Sequence, residues 1–280
     1  MGGIMRTFTL IDHDGNSYDI TASGLAFFHN VDGLGFGKTL TYQRIEDRYA
    51  LLSDFVSQQK VTGSVRFWQP GAEAEYFRFA QFCQNSPIRL MYNPGHDTFY
   101  RDGIISKVER SDGPDCLTCK IEFTASTPWY KMVTAFSDGT ITGGKVYNYT
   151  YDYVYSDSSV NSVTLESDSY QSSPCKVVLY GELVNPTWRH YLNNVLQTTG
   201  KITGIVMPNH RLVIDTTTIP YSMKQVDAFG NVVSDMYQLS DFSTGRFIRL
   251  GHGTNTIAVS ADNGTEFTIG VEAEIEYATV

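Results

Sequence analysis

Two cysteines three residues apart, Cys116 and Cys119 in CLTC, have the spacing of half a zinc site or of a dithiol redox pair. A structural zinc needs four ligands, and the sequence holds no second CxxC and no HxxxH. The residues around CLTC read as a strand, where positions three apart point to opposite faces. Redox CxxC pairs favour the start of a helix instead. GLGFGKT (33–39) invites a phosphate-loop reading, but that loop needs glycine at position 32, where Asp32 stands. It reads as a flexible glycine turn. The six histidines (13, 29, 96, 190, 210 and 252) are scattered, and no GxSxG elbow accompanies them. Carboxylates are abundant enough for a glycosidase pair, yet nothing in the spacing selects two of them. The reading is a non-enzyme with no cofactor and no metal.

Tyr147, Tyr149, Tyr151, Tyr153 and Tyr155 alternate strictly in KVYNYTYDYVYSD (145–157). On a strand the five rings would share one face, about 27 Å long. The opposite face carries Val146, Asn148, Thr150, Asp152 and Val154, polar in its middle and so the wetter side. A tyrosine face of that size calls for a cover, with the hydroxyls reaching water or a polar partner. The sandwich interior, a neighbouring subunit and a stacked sugar all satisfy it.

These candidates need elements to position them. The chain has 280 residues, 41% of them hydrophobic, which allows one large domain or two ordinary ones. The 18 tyrosines and 16 phenylalanines favour strands. A net charge of −9 without any lysine or arginine block argues against stable nucleic-acid binding. No apolar run reaches the roughly 18 residues of a membrane span, and MGGIMRTFTLIDHDG does not read as a secretory signal. Four cysteines are too few for a disulfide scaffold, so free buried thiols in a reducing cytoplasm are expected.

Most segments read as short strands between turns. A hairpin is expected around Asp14-Gly15-Asn16. Residues 28–43 are glycine-rich and then extended. Residues 49–58 are ambiguous, although Tyr49, Leu52 and Val56 fit a helix. VTGSVRFW (61–68) is strand-like. The firm helix is 72–84, where Tyr76, Phe79, Ala80 and Cys83 recur at helical spacing. Glu73 and Glu75 suit the positive end of its dipole, and Pro87 closes it. IRLMY, FYRDGIISKVER and CLTCKIEFTAST follow as strands. SDGTITGGK (137–145) has linker composition. Beyond it CKVVLYGEL, KITGIVM, HRLVIDTTT, FIRLG, NTIAVSAD and EFTIGVEAEIEY are evenly spaced strands, the pattern of a β-sandwich. The expected class is mainly β with one or two helices. The expected divisions are residues 1–136, a linker at 137–146, and a sandwich at 147–280.

The order of these pieces resembles the distal tail proteins of siphophages infecting Gram-positive bacteria. VTGSVRFW, AEYFRFAQFCQN, IRLMYNPG, YRDGIISKVE and the closing TPWY carry the resemblance in the first half. The tyrosine strand, VVLYGELVNPTW, HRLVIDTTT and GHGTNTIAVS carry it in the second. The resemblance implies an N-terminal ring-forming (belt-type) domain, closed into a homo-hexamer by strand contacts, and a C-terminal galectin-like β-sandwich. It implies a structural hub in the virion, at the tail tip or baseplate, assembled in the bacterial host cytoplasm. Its partners would be the major tail tube protein, a tail-tip or tail-associated lysin-type protein, and a receptor-binding protein. It implies no cofactor, no catalysis and no membrane insertion. NPTWR (185–189) echoes some galectin sugar-site letters without the full set, which adds Trp188 to the candidate interface or ligand face. The alternative function is a carbohydrate-binding adhesin module acting through the sandwich.

Overall fold

The computed structural model describes residues 6–21, 26–113, 115–137, 159–262 and 266–280. The chain forms two compact units, Met1–Lys131 with Tyr277–Val280, and Met132–Glu276.

The first unit contains β1 (Thr7–Ile11), β2 (Ser17–Asp19), β3 (Ala26–Asp32), β4 (Lys38–Ile45), β5 (Arg48–Val56) and β6 (Lys60–Trp68). Helix α1 (Ala72–Gln84) follows, then β7 (Ile88–Asn93), β8 (Phe99–Asp112), β9 (Cys116–Ala125) and the start of β10 (Trp129–Phe136). Seven strands pair antiparallel in the order β2-β1-β7-β8-β9-β6-β3. The outer ends of this sheet meet. Ile20 N–H donates to Phe8 O, and Phe28 N–H donates to Ile20 O. Alternation sets the core: Leu117, Cys119, Ile121, Phe123 and Ala125 all point inward from β9. Phe8 stacks on Tyr92 at 4.8 Å and meets Phe28 edge-on at 5.2 Å.

Helix α1 spans the residues its periodicity predicts. Ala72, Glu75, Phe79 and Cys83 are its buried residues, spaced three and four apart, and Phe79 packs 5.6 Å from Phe67. Buried Glu75 is held by the Tyr18 hydroxyl at 2.7 Å and Arg78 at 2.7 Å.

Residues 48–56 form strand β5, which settles a stretch that the sequence leaves ambiguous. Tyr49, Leu52 and Val56 do fall at helical spacing. Pairing with β4 decides the conformation, since β4 and β5 form their own two-stranded sheet.

The second unit contains β11 (Ser159–Ser167), β12 (Ser173–Tyr180), β13 (Leu183–Val184), β14 (Thr187–Leu192), β15 (Val195–Lys201), β16 (Ile205–Val206) and β17 (Arg211–Asp215). It continues with β18 (Ser222–Val226), β19 (Val232–Asp235), a 3-10 turn at Tyr237–Leu239, β20 (Arg249–Leu250), β21 (Gly253–Ala261) and β22 (Thr268–Tyr277). One sheet runs β19-β18-β17-β12-β22 and the other β11-β21-β14-β15, a β-sandwich. Val177, Leu179, Leu212, Ile214, Ile269 and Val271 are buried from the first sheet, and Val163, Trp188, Ile257 and Val259 from the second.

Within this sandwich the geometry around Trp188 is tight. Gly200 lies across from it in the ladder, and a Cβ there would stand 2.2 Å from the indole. Only glycine leaves room for that ring.

Candidate functional site

The hairpin β4–β5 is a surface feature of the first unit that its own core does not use. Its two-residue loop is Glu46-Asp47, with Glu46 in the left-handed region at φ 52°. Directly opposed residues share a face. The register gives one face built from the pairs Lys38–Val56, Leu40–Asp54, Tyr42–Leu51 and Arg44–Tyr49. The other face holds Thr39–Phe55, Thr41–Ser53, Gln43–Ala50 and Ile45–Arg48. A register shift beside Thr41 inserts Leu52 into β5 and keeps Leu51 and Tyr49 on the face of Leu40 and Tyr42.

The first face is therefore an apolar stripe of Leu40, Tyr42, Leu51 and Tyr49. A salt bridge from Lys38 to Asp54 borders it at one end and Arg44 at the other. The four apolar side chains are 47–70% exposed. A two-stranded ribbon on its own is marginally stable in water. Its base is tied down: Ser57 N–H donates to Gly37 O, and Gln58 Nε2 donates to Ala125 O at 3.0 Å. The glycine run at 33–37 thus leads into this ribbon, with Lys38 committed to Asp54.

Fully burying each of the four side chains is worth about 1.5–3 kcal/mol. The four are already about half covered, so roughly half of their sum remains to be gained, at the low end of the roughly 4–15 kcal/mol that association costs in lost freedom.

Trp188 is fully buried, and its indole N–H donates to Arg246 O at 2.8 Å. Its inward position on β14 makes it a core residue of the sandwich, which corrects its placement on a ligand face. Tyr147, Tyr149, Tyr151, Tyr153 and Tyr155 lie outside the described residues.

Cys116 is half-buried and Cys119 fully buried, on opposite faces of β9, and all four cysteines are free thiols. Burial pushes the thiols of Cys83, Cys119 and Cys175 up to about 12, far from a reactive thiolate. Among the described residues, no three His, Cys, Asp or Glu side chains are placed to hold a metal. No helix among them is long and apolar enough to cross a membrane.

Buried His190 bonds Asn255 Oδ1 through Nε2 at 3.0 Å. The same oxygen accepts from Gly251 N–H, while Asn255 Nδ2 donates to two glycine carbonyls. His190 must therefore donate from Nε2, and Nδ1 is left buried without a partner. Burial holds its pKa below the usual 6.5, partly offset by Asn255. This is a structural histidine that fixes the 251–255 turn.

The stretches YRDG and TPWY meet in one corner of the first unit. Arg101 is buried, donates to Thr127 O at 3.0 Å and lies 5.2 Å from the centre of the Trp129 ring. Asp102 accepts from Arg89 at 2.7 Å and from the Tyr130 hydroxyl at 2.8 Å, and its backbone N–H donates to Thr127 Oγ1. The corner pins β8 to the start of β10, a framework role.

The pattern of the distal tail protein N-terminal domain matches residues 7–126, from β1 through the end of β9 and including the hairpin. Over these residues the first unit is similar to the N-terminal domain of distal tail proteins. Solved structures extend the likeness to the whole chain. A chain of the phage P2 baseplate, in its activated conformation with calcium, is similar at TM-score 0.65 and 16% identity, covering 98% of this chain and 99% of that one. The Dit protein (gp 19.1) of phage SPP1, described as a paradigm of hub adsorption apparatus in Gram-positive-infecting phages, is similar at TM-score 0.61 and 11% identity. That match covers 95% of this chain and 98% of the other. At such identities the likeness is one of fold: an N-terminal β domain followed by a β-sandwich. No curated protein matches the sequence.

Proposed function

We propose that this chain is a structural component of a phage tail, the hub at the tail tip or baseplate. In this reading it closes into a homo-hexameric ring that joins the tail tube to the tip and host-recognition apparatus. Its neighbours are the major tail tube protein on one side and a tail-tip or lysin-type protein on the other, with a receptor-binding protein as a further partner. It is made and assembled in the host cytoplasm and resides in the virion. Its role is architectural rather than catalytic.

The observation that carries the reading is the β4–β5 ribbon, with its apolar stripe of Leu40, Tyr42, Tyr49 and Leu51 uncovered. An open apolar face bordered by charge suits a protein neighbour. The likeness of the first unit to distal tail proteins and the fold shared with phage hub and baseplate proteins support a subunit of the same chain as that neighbour. The net charge of −9 suits a ring through which DNA passes without adhering.

Labelling the protein in phage particles and imaging them by electron microscopy tests the placement. Label at the distal end of the tail is expected. Label confined to the capsid, or absent from intact particles, would overturn it.

A further inference from the structure

The second unit carries a cleft of about 780 Å³ where the loops after β17 and β19 meet the outer face of β18. This is within the range of roughly 300–1,000 Å³ that small-molecule sites occupy. Its walls are aromatic. Tyr221 and Phe247 pack at 5.2 Å, and Phe247 and Tyr237 lie near-parallel at 6.1 Å. The Arg246 guanidinium rests 5.4 Å from the Tyr237 ring centre and 4.3 Å from that of Phe242, which sets the rings' orientation.

The rim is polar in a specific way. Lys224 on β18 and Asp235 on β19 are direct cross-strand partners, both exposed, where an ion pair would ordinarily form. Instead Asp235 Oδ1 accepts the Tyr237 N–H at 2.9 Å. Lys224 enters no ion pair among the described residues. One ammonium and one carboxylate oxygen therefore face the cleft uncommitted, beside the Ser222 hydroxyl.

We propose that this cleft binds a neutral saccharide. The C–H faces of a pyranose lie against aromatic rings, while its hydroxyls both donate and accept. A carboxylate beside an uncommitted ammonium at one rim matches that dual chemistry. Among the residues lining the cleft Lys224 and Asp235 balance in charge, with Arg249 bonded to the Tyr221 hydroxyl and Arg246 over Tyr237 just outside it; a polyanionic ligand meets Asp235, and a cationic one meets Lys224. A purely apolar ligand would leave both charges unpaired. The site uses neither Trp188 nor the tyrosine strand. It stands independently of the hub reading, since its residues all lie in the second unit.

The test is binding of the full chain to a panel of immobilised neutral hexose and N-acetylhexosamine oligosaccharides. Phosphorylated saccharides and short aromatic-binding peptides serve as the contrasting probes. Saturable retention on neutral saccharides is expected. Asp235→Asn, which keeps the oxygen that accepts Tyr237 N–H, and Lys224→Met should each weaken it about tenfold. Tyr237→Ala should weaken it at least as much. If the tyrosine variant fails to fold, the two rim variants decide alone. No retention of any neutral saccharide, a preference for the peptides or phosphorylated probes, or binding unchanged by the rim variants would each overturn the proposal.

Discussion

The hairpin of the first unit and the cleft of the second both expose aromatic side chains to water, yet their chemistry differs. On β4–β5, Tyr42 and Tyr49 alternate with Leu40 and Leu51 along an open stripe, and the bordering Lys38 is already bonded to Asp54. The charges at that end are committed to each other. In the cleft, Tyr221, Tyr237 and Phe247 form a concavity, and Lys224 and Asp235 stand unpaired at its rim. Open apolar exposure with satisfied charges is matched by another protein surface. Concave aromatic exposure with unsatisfied charges is matched by a small polar molecule. Exposed aromatic residues become informative only with the shape around them and the state of the neighbouring charges.

The largest expected effect separates the two surfaces outright. Tyr42→Asp with Leu51→Asp places two carboxylates where the account requires a dry contact. Desolvating each costs several kcal/mol. Self-association should be lost while saccharide binding stays, as read by solution mass beside the oligosaccharide panel. Loss of both together would show that the two surfaces are not independent.

A smaller effect is expected in the sandwich that supports the cleft. Gly200→Ala forces a methyl against the Trp188 indole, and overpacking of this kind costs about 1–3 kcal/mol. Thermal unfolding should shift down for the second unit alone, with assembly intact. An unchanged melting temperature would mean that Trp188 is free to move aside.

The same sandwich should be sensitive to acid through His190. Its folded pKa lies below 6.5, the usual value that the unfolded chain retains, because burial disfavours the charged ring. Unfolding then takes up a proton once the pH falls through 6.5, so stability is constant above that pH and declines below it. His190→Gln should remove that part of the pH dependence. If the variant declines as steeply as the parent, the histidine is not the group responsible.

The smallest effect compares two copies of one turn. Asp12 and Asp227 each accept from the Asn N–H and side chain four residues on, and in each turn the glycine three residues on donates back, with φ 83° and 88°. Asp12 also receives Asn85 Nδ2 from the end of α1 at 2.8 Å. Asp12→Ala should therefore lower the melting temperature more than Asp227→Ala. Equal shifts would indicate that the bond to Asn85 contributes nothing.

Much of the framework is legible in the sequence because local pattern and tertiary burial agree there. Helix α1 declares itself by Phe79 and Cys83 at helical spacing, with Pro87 beyond it. Strands such as β9 declare themselves by strict alternation, and the strand placement of CLTC removes its metal reading. The stretch 49–58 reads ambiguously because its apolar residues are largely exposed rather than part of the chain's own core, so helical spacing there has no burial to report. One signal could have found it: Leu40 and Tyr42 before IEDR, Tyr49 and Leu51 after it, alternate symmetrically about a two-residue turn. Without glycine or asparagine in that turn, the usual hairpin signature is missing. The cleft is not legible at all, since its rings come from three separate loops and its rim depends on which partner Asp235 chooses.

The central claim is that the β4–β5 stripe is an assembly surface for copies of this chain. Solution mass of the full chain and of the Tyr42→Asp, Leu51→Asp variant, each confirmed as folded, tests it most directly. The account predicts a hexamer for the first and a monomer for the second. A parent chain that stays monomeric at every concentration, or a double variant that assembles like the parent, would contradict it.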